Sequence, residues 1–496
     1  MRSAWYVTSL ALAAISLVGI SGCKGADSPL GVKIELKEKT FANGLRVIVI
    51  EDHTVPVVTY QTWYRVGSVD EKKGMTGISH LFEHLMFKGT PKYGPRKFFE
   101  MLESKGAEVN AYTMRDYTVY YETFSPEMLP TVVDLESDRM QNLTLSQEVL
   151  DTEKQVVMEE RRLKTDNSPV GKMQETLWLL AFRSHPYQWP VVGYLQDVMD
   201  LTLPQVLEYY TGHYQPKNAT LVLVGDLKAE PTFEMLRKAY GEIPSQKVPK
   251  RKIAPEPEQT DERRLVLKDQ VSSEKLAQAY HCSAAEDDDS YALDVLANIL
   301  FEGSSSLAYR RLVEEKDLVV GVSGSAYTPT YPGLFMISAT MKGALPATAA
   351  EAELDSVIHE VQTTGVTPEE VQRAVRQLTV QLVDSVRTPF GLGQLVGTVV
   401  MILNDPERYG EDLAKYLKVT PADVQRVARK YLVPAHRSVI TLVPDSSIKV
   451  KPTSGAANPE TGSLQDSRAI PRPPEPVRTA STRALKLDAS LTGRMK

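Results

Sequence analysis

Residues 80–84 read His-Leu-Phe-Glu-His. On a helix, positions i and i+4 share a face with Cβ atoms roughly 6 Å apart, so two imidazoles at that spacing can hold one zinc ion. Of the eight histidines, only His80 and His84 have this spacing. Glu83, at i+3 from His80, points to a neighbouring part of the same face. A carboxylate there can take a proton from a water without itself ligating a metal. H-x-x-E-H is the inverse of the zinc-protease pattern H-E-x-x-H, and the same chemistry needs the same three groups. The rival reading is a helix end carrying two solvated histidines. A catalytic zinc site takes three protein ligands and keeps a fourth position open, so a third ligand is required, and a carboxylate suits it.

Candidates lie in "DTEKQVVMEERRL", residues 151–163. The combination of HxxEH with E-x-x-x-V-x-x-E resembles the M16 (pitrilysin/insulinase) metallopeptidase family, the last Glu standing 76 residues after His84. The resemblance implies Glu160 as third zinc ligand and Glu153, two turns earlier on the same helix face, as its support. Glu159 remains an alternative ligand, although it points about 100° away on a helix and Thr152, not a Glu, stands seven residues before it. The resemblance runs over roughly residues 35–445. It includes "GLRVIVIEDHTVPVV" before the motif and "NAYTMRDYTVYY" after it. It implies that the latter forms an edge strand taking a substrate backbone by strand addition, with Asn110 and Ala111 in contact. It further implies an α+β fold of two homologous domains, each a sheet backed by helices, forming half of a clamshell chamber. The activity implied is that of a zinc endopeptidase acting on unfolded peptides, with one Zn²⁺ per chain and Glu83 as the base. A second function class stays open: a non-catalytic M16-like partner or structural subunit.

The elements that must position these groups are legible. "GLRVIVIED" and "VVTYQTWYRVGS" carry β-branched apolar runs and predict strands. Leu81, Phe82, Leu85 and Met86 predict a helix through the motif, ended by Gly89 and Pro91. Residues 144–163 predict a helix with Thr144 and Gln147 as a capping box. "LPQVLEYYTGHYQPKNATLVLVGDL" and "VTPADVQRVARKYLVPAHRSVITLVPD" repeat one pattern: Thr202, Val206 and Pro216 match Thr420, Val424 and Pro434 at one offset, 218. That offset predicts a duplicated α+β domain. The expected division is a signal peptide over 1–22, a link over 23–34, a zinc-bearing domain over 35–245, a Pro- and charge-rich linker over 246–262, a second domain over 263–446, and a disordered tail over 447–496.

The second half departs from the family. Its members commonly supply an Arg and a Tyr to the substrate at spacing R-x6-Y, and no Tyr between 263 and 446 has an Arg seven positions before it. The matching stretch reads "LVEEKDLVVGVSGSAY", with Val320 where Tyr is expected. The departure predicts a homologous M16 partner subunit that supplies the pair. Upstream, Gly303 and Ser304 to Ser306 form a small-residue loop able to line the chamber, or a plain turn.

The formal net charge of -6 gives no cause to expect nucleic acid. Two cysteines, Cys23 and Cys282, form no disulfide framework. Arg2 and an apolar run closing on "ISGC" read as an export signal whose end resembles a bacterial lipobox. This implies a lipid on Cys23 and a place on the periplasmic side of the membrane, with Lys24 favouring the outer membrane. From Ser447 onward, nine Lys/Arg stand against four Asp/Glu; a solvated tail is the expectation.

Overall fold

A computed structural model describes residues 35–445 and Ser447. The predicted export signal, Cys23 and the rest of the basic tail lie outside the described residues.

Two mixed sheets organise the chain. The first holds β1 (Leu36–Thr40), β2 (Arg46–Glu51), β3 (Val58–Tyr64), β4 (Glu108–Thr113), β5 (Thr118–Phe124) and β6 (Ala219–Gly225), in the order β1-β2-β6-β3-β5-β4. The second holds β7 (Arg263–Asp269), β8 (Lys275–His281), β9 (Val319–Tyr327), β10 (Leu334–Met341) and β11 (Arg437–Pro444), in the order β7-β11-β8-β10-β9. One parallel pair occurs in each, β2 with β6 and β7 with β11, and the other pairings are antiparallel. Matching the orders equates β2 with β7, β6 with β11, β3 with β8, β5 with β10 and β4 with β9. Only β1 has no counterpart among the described residues.

The offset of 218 has a physical meaning. Thr202 and Thr420 are both N-caps with reciprocal capping boxes, to Gln205 and Asp423. Each helix, Leu203–His213 or Pro421–Tyr431, is followed by a Pro-initiated 3-10 turn and then by β6 or β11.

The halves exchange helices. Helix Pro169–Ala181 belongs to the first half in sequence, yet its Met173, Leu177 and Ala181 pack with Ala277, Ala279, Ile440 and Leu442 of the second sheet. Helix Pro389–Leu403 reciprocates, seating Leu392, Val396 and Val400 against Ile48, Trp63, Val222 and Val224 of the first. Gly397 lets that helix lie flat on Trp63; a Cβ there would sit 2.0 Å from the indole. Arg65 then donates to the carbonyls of Val400 and Met401 at 2.9 and 2.8 Å, a cation at the carbonyl end of a helix. Separating the halves would expose several side chains each worth about 1.5–3 kcal/mol of burial. The exchange therefore joins the halves into one packed body.

One expectation changes in detail. The helix predicted over 144–163 spans Gln147–Arg161 and continues in a π turn over Arg162–Asp166. Its cap is Ser146, whose Oγ accepts from Val149 N at 3.2 Å, not Thr144. Thr144 N is taken by Gly89 O, and Gln147 donates to Asp151. Residues 246–262, the expected linker, carry no helix or strand and pack as a strap. Arg251 forks onto Asp70 at 2.8 and 2.9 Å, Glu256 accepts the backbone N–H groups of Arg183, Ser184 and His185, and Gln259 is buried against Arg437 O.

Candidate metal centre

The motif helix is Ile78–Leu85. Leu81, Phe82 and Leu85 are fully buried, and Phe82 stacks on Tyr210 and Tyr214. With that face in the core, His80, Glu83 and His84 are left on the other. Its N-terminus is held by Glu71, whose two oxygens accept Gly77 N at 2.8 Å and Ser79 N at 2.9 Å. Gly77 sits in the left-handed region (φ 87°) against Gly193, where a Cβ would meet Val192 O at 2.5 Å. Phe82 O accepts from Tyr120 OH of β5 at 3.0 Å. The helix is thus fixed at its start by the nearby Glu71 and the distant Gly193, and at its middle by Tyr120 of β5.

Helix Gln147–Arg161 packs alongside and brings the carboxylates. Its end is tied down by Arg161, which donates to Gly193 O at 2.6 Å and forks onto Glu175. Both helices therefore rest on the Gly193 loop.

Three donors converge. His84 Nε2 lies 3.3 Å and His80 Nε2 3.6 Å from Glu160 Oε2. One ligand atom from each residue lies within 4.8 Å of the others, the only such group of three among the described residues. Ligands bound at ~2.0–2.1 Å in a tetrahedron stand roughly 3.4 Å apart, so this donor set fits a zinc ion. Burial, and after it the neighbouring His84, hold the His80 imidazole down at about 4, in the neutral form that ligates. The hydrogen bond with His84 holds Glu160 down at about 2, so it is an anion. Lys164, four residues on, takes Glu160 Oε1 at 2.5 Å and leaves Oε2 to face the histidines.

Glu159 is not part of this group. Its side chain is 62% exposed and pairs with Arg162. Glu153 is buried beside the site, with Oε2 3.8 Å from His84 Nδ1 and Oε1 on Lys88 Nζ at 2.6 Å. Glu83 Oε2 lies 3.9 Å from His80 Nε2 and accepts from Thr113 Oγ1 at 2.8 Å. Burial raises the Glu83 carboxyl, and the Thr113 hydrogen bond opposes that rise.

Asn110 and Ala111 lie mid-strand in β4, the edge of the first sheet, paired with Tyr121 and Tyr120. Asn110 Oδ1 accepts Ala111 N at 2.9 Å. Thr113, Lys88 and Lys164 were missed in the sequence. Lys164 had a signal, its i+4 spacing from Glu160; Thr113 and Lys88 reach their partners only through the tertiary fold. In the second half, Arg311 is engaged by Glu315, Glu353 and Glu360 at 3.2–3.6 Å, and Val320 is exposed on β9.

The family model described as "Insulinase (Peptidase family M16)" matches residues 46–193, and that described as "Peptidase M16 inactive domain" matches residues 200–378. The chain belongs to the M16 peptidase family. This M16 chain is 28% identical over 439 residues to a Helicobacter pylori protein described as zinc protease PqqE, covering 88% of this chain and 98% of that one. It is 26% identical over 405 residues to an uncharacterized zinc protease of Streptomyces coelicolor, covering 80% and 87%. Among solved structures, a protease from Helicobacter pylori superposes with TM-score 0.80 at 27% identity, covering 83% of this chain and all of that one. The periplasmic protease PqqL of Escherichia coli shares the fold at TM-score 0.68 and 18% identity; 82% of this chain covers 47% of that one.

Proposed function

We propose that this M16 chain is a zinc-dependent endopeptidase that hydrolyses unfolded peptides. The observation that carries the reading is the convergence of His80 Nε2, His84 Nε2 and Glu160 Oε2 with a buried carboxyl, Glu83, beside them. His80, His84 and Glu160 would hold the metal. A bound zinc supplies Lewis-acid polarisation of the scissile carbonyl and acidifies a water. Glu83 receives the water's proton on its carboxylate and returns it to the departing amine. Its raised proton affinity suits both transfers, and Thr113 keeps Oε2 aimed into the site. Glu153 steadies the His84 ring from the Nδ1 side, with its own charge balanced by Lys88. A peptide laid as a strand on β4, past Asn110 and Ala111, runs beside the base because Thr113 ends that same strand. The relatives described as zinc proteases support the reading, and the complete ligand set weighs against a non-catalytic subunit.

The absence of an R-x6-Y pair in the second half supports a further part of the proposal: the site is completed by a homologous M16 subunit. The fold-level likeness to PqqL, of which this chain spans about half, fits such an arrangement. Arg311 is a poor substitute because three carboxylates already engage it. The "ISGC" stretch supports export and lipid attachment at Cys23. The experiment for the catalytic reading is Glu83→Gln: zinc content stays near one per chain while peptide turnover falls by orders of magnitude. Wild-type turnover in that variant would refute it.

A further inference from the structure

The edge hairpins of the two sheets are repeat mates, and their turns meet. β4 and β5 turn at residues 114–117, where Met114 N donates to Tyr117 O at 2.8 Å. β9 and β10, their counterparts, turn at residues 328–333. Asp116 of the first turn is 2% exposed. Its Oδ2 accepts Thr330 N of the second turn at 3.2 Å. Tyr187 OH donates to it from 2.8 and 2.9 Å. Arg251 of the strap donates to Asp116 O at 2.5 Å. Beside it, the Arg115 guanidinium lies 3.5 Å from the centre of the Trp178 ring, on the helix that covers the second sheet.

A turn does not need a buried aspartate. A solvated one makes the same local hydrogen bonds, and burying a carboxylate costs free energy unless donors compensate. Here the donors come from three segments distant in sequence, so what the burial secures is a tertiary tie. The tie bears on the base. Thr113, whose Oγ1 donates to Glu83 Oε2 at 2.8 Å, is the last residue of β4. Only Met114 and Arg115 separate it from Asp116, and their carbonyls are taken by Ser68 N and Val69 N at 3.3 and 2.8 Å. The path from Asp116 to Glu83 is short and has no loose member.

We propose that Asp116 is a positioning residue for Glu83: it fastens the end of β4 to the second half of the chain and so keeps Thr113 on the base. The catalytic part of this inference rests on the peptidase reading. The second half gives no residue to the three-donor group, yet through Thr330 and Asp116 it sets the aim of the base without touching substrate.

A double-mutant cycle on kcat in the full chain tests it. A displacement of ~1 Å can cost about a hundredfold in rate. Asp116→Ala should therefore lower kcat about tenfold or more, with KM within about twofold and zinc content unchanged. In a Thr113→Val background the same substitution should lower kcat less than about threefold, because the link it serves is already cut. Tyr187→Phe keeps the ring, removes one donor and should follow the same pattern at smaller size; it carries the test if Asp116→Ala does not fold. Equal losses in the two backgrounds would assign the tie to stability alone and overturn the proposal, as would unchanged kcat in every variant that folds. Hydrogen exchange separates this outcome from failure of the peptidase reading. In the variants, Met114 N and the β4 amides bonded to β5 should exchange roughly tenfold faster, with β2 amides of the same sheet unchanged. Unaltered β4 exchange overturns the proposal whether or not the chain cleaves peptides. Loosened β4 in a chain whose wild type shows no turnover supports the tie and refutes the peptidase reading.

Discussion

Thr113 Oγ1 donates to Glu83 Oε2 at 2.8 Å, joining the candidate base to the end of the edge strand β4. Among the described residues, the bond ties the motif helix's carboxylate directly to the strand on which a peptide would lie. It has a consequence for rate. Thr113→Val removes the donor and keeps the shape. A hydrogen bond to a charged group contributes about 1.5–3 kcal/mol, so kcat should fall roughly ten- to a hundredfold with zinc content unchanged. Unchanged kcat would show that Glu83 needs no such tie.

Lys88 should matter for stability and for metal together. It faces the buried Glu153 at 2.6 Å, and Glu153 in turn approaches His84. Lys88→Met leaves a buried carboxylate without its cation. A fully buried pair broken this way costs about 3–5 kcal/mol; Lys88 is about a third exposed, so a smaller loss, about 1–3 kcal/mol, is expected in denaturant unfolding. Groups that orient a metal ligand typically change affinity 10–100-fold, and competition with a chromogenic chelator should show a loss of that size. Equal zinc affinity in the variant would remove Glu153 from the positioning role.

Stability should fall with acid in a window set by His185. Its ring is buried among Phe182, Tyr187 and Tyr331, and Nδ1 accepts Tyr187 N at 3.1 Å. Burial holds it down at about 4, against 6.5 for an ordinary histidine. Above 6.5 both folded and unfolded chains are neutral there, and this group adds no pH dependence. As pH falls from 6.5 toward 4, the unfolded chain gains the proton first, so stability is lost across that range. Unfolding free energies measured at steps between pH 7 and 4 should decline, and His185→Gln should decline less steeply by about one proton. An identical slope in the variant would contradict the assignment.

The partner prediction rests on the second half. Losing one oxyanion donor costs roughly a hundredfold or more in rate. The isolated chain should therefore be a weak peptidase, activated about that much by a homologous subunit carrying R-x6-Y. Full activity alone, lost in Arg310→Ala or Arg311→Ala, would place the missing group in this chain instead.

The grouping of the candidate donors was legible where it depends on local spacing. His80, Glu83 and His84 need only one helix, and Glu153 and Glu160 only another. The duplication was legible because Thr202 and Thr420 solve the same capping problem at the same place. What the sequence could not show is juxtaposition. Thr113 meets Glu83 because β4 passes the motif helix, and Lys88, in the turn after that helix, meets Glu153 on the neighbouring one. The exchange of Pro169–Ala181 and Pro389–Leu403 was equally hidden, since an apolar helix face does not say which sheet it covers. The cap moved from Thr144 to Ser146 because Thr144's backbone N–H is claimed by Gly89 O, a contact outside the helix itself.

Zinc stoichiometry tests the central claim most directly. The wild-type chain and Glu83→Gln, purified and reconstituted with zinc, should each hold about one ion per chain by elemental analysis after dialysis. His84→Ala and Glu160→Ala, folded by circular dichroism, should hold close to none. Zinc retained in both ligand variants, or absent from the wild type after reconstitution, would contradict a metal centre built from His80, His84 and Glu160.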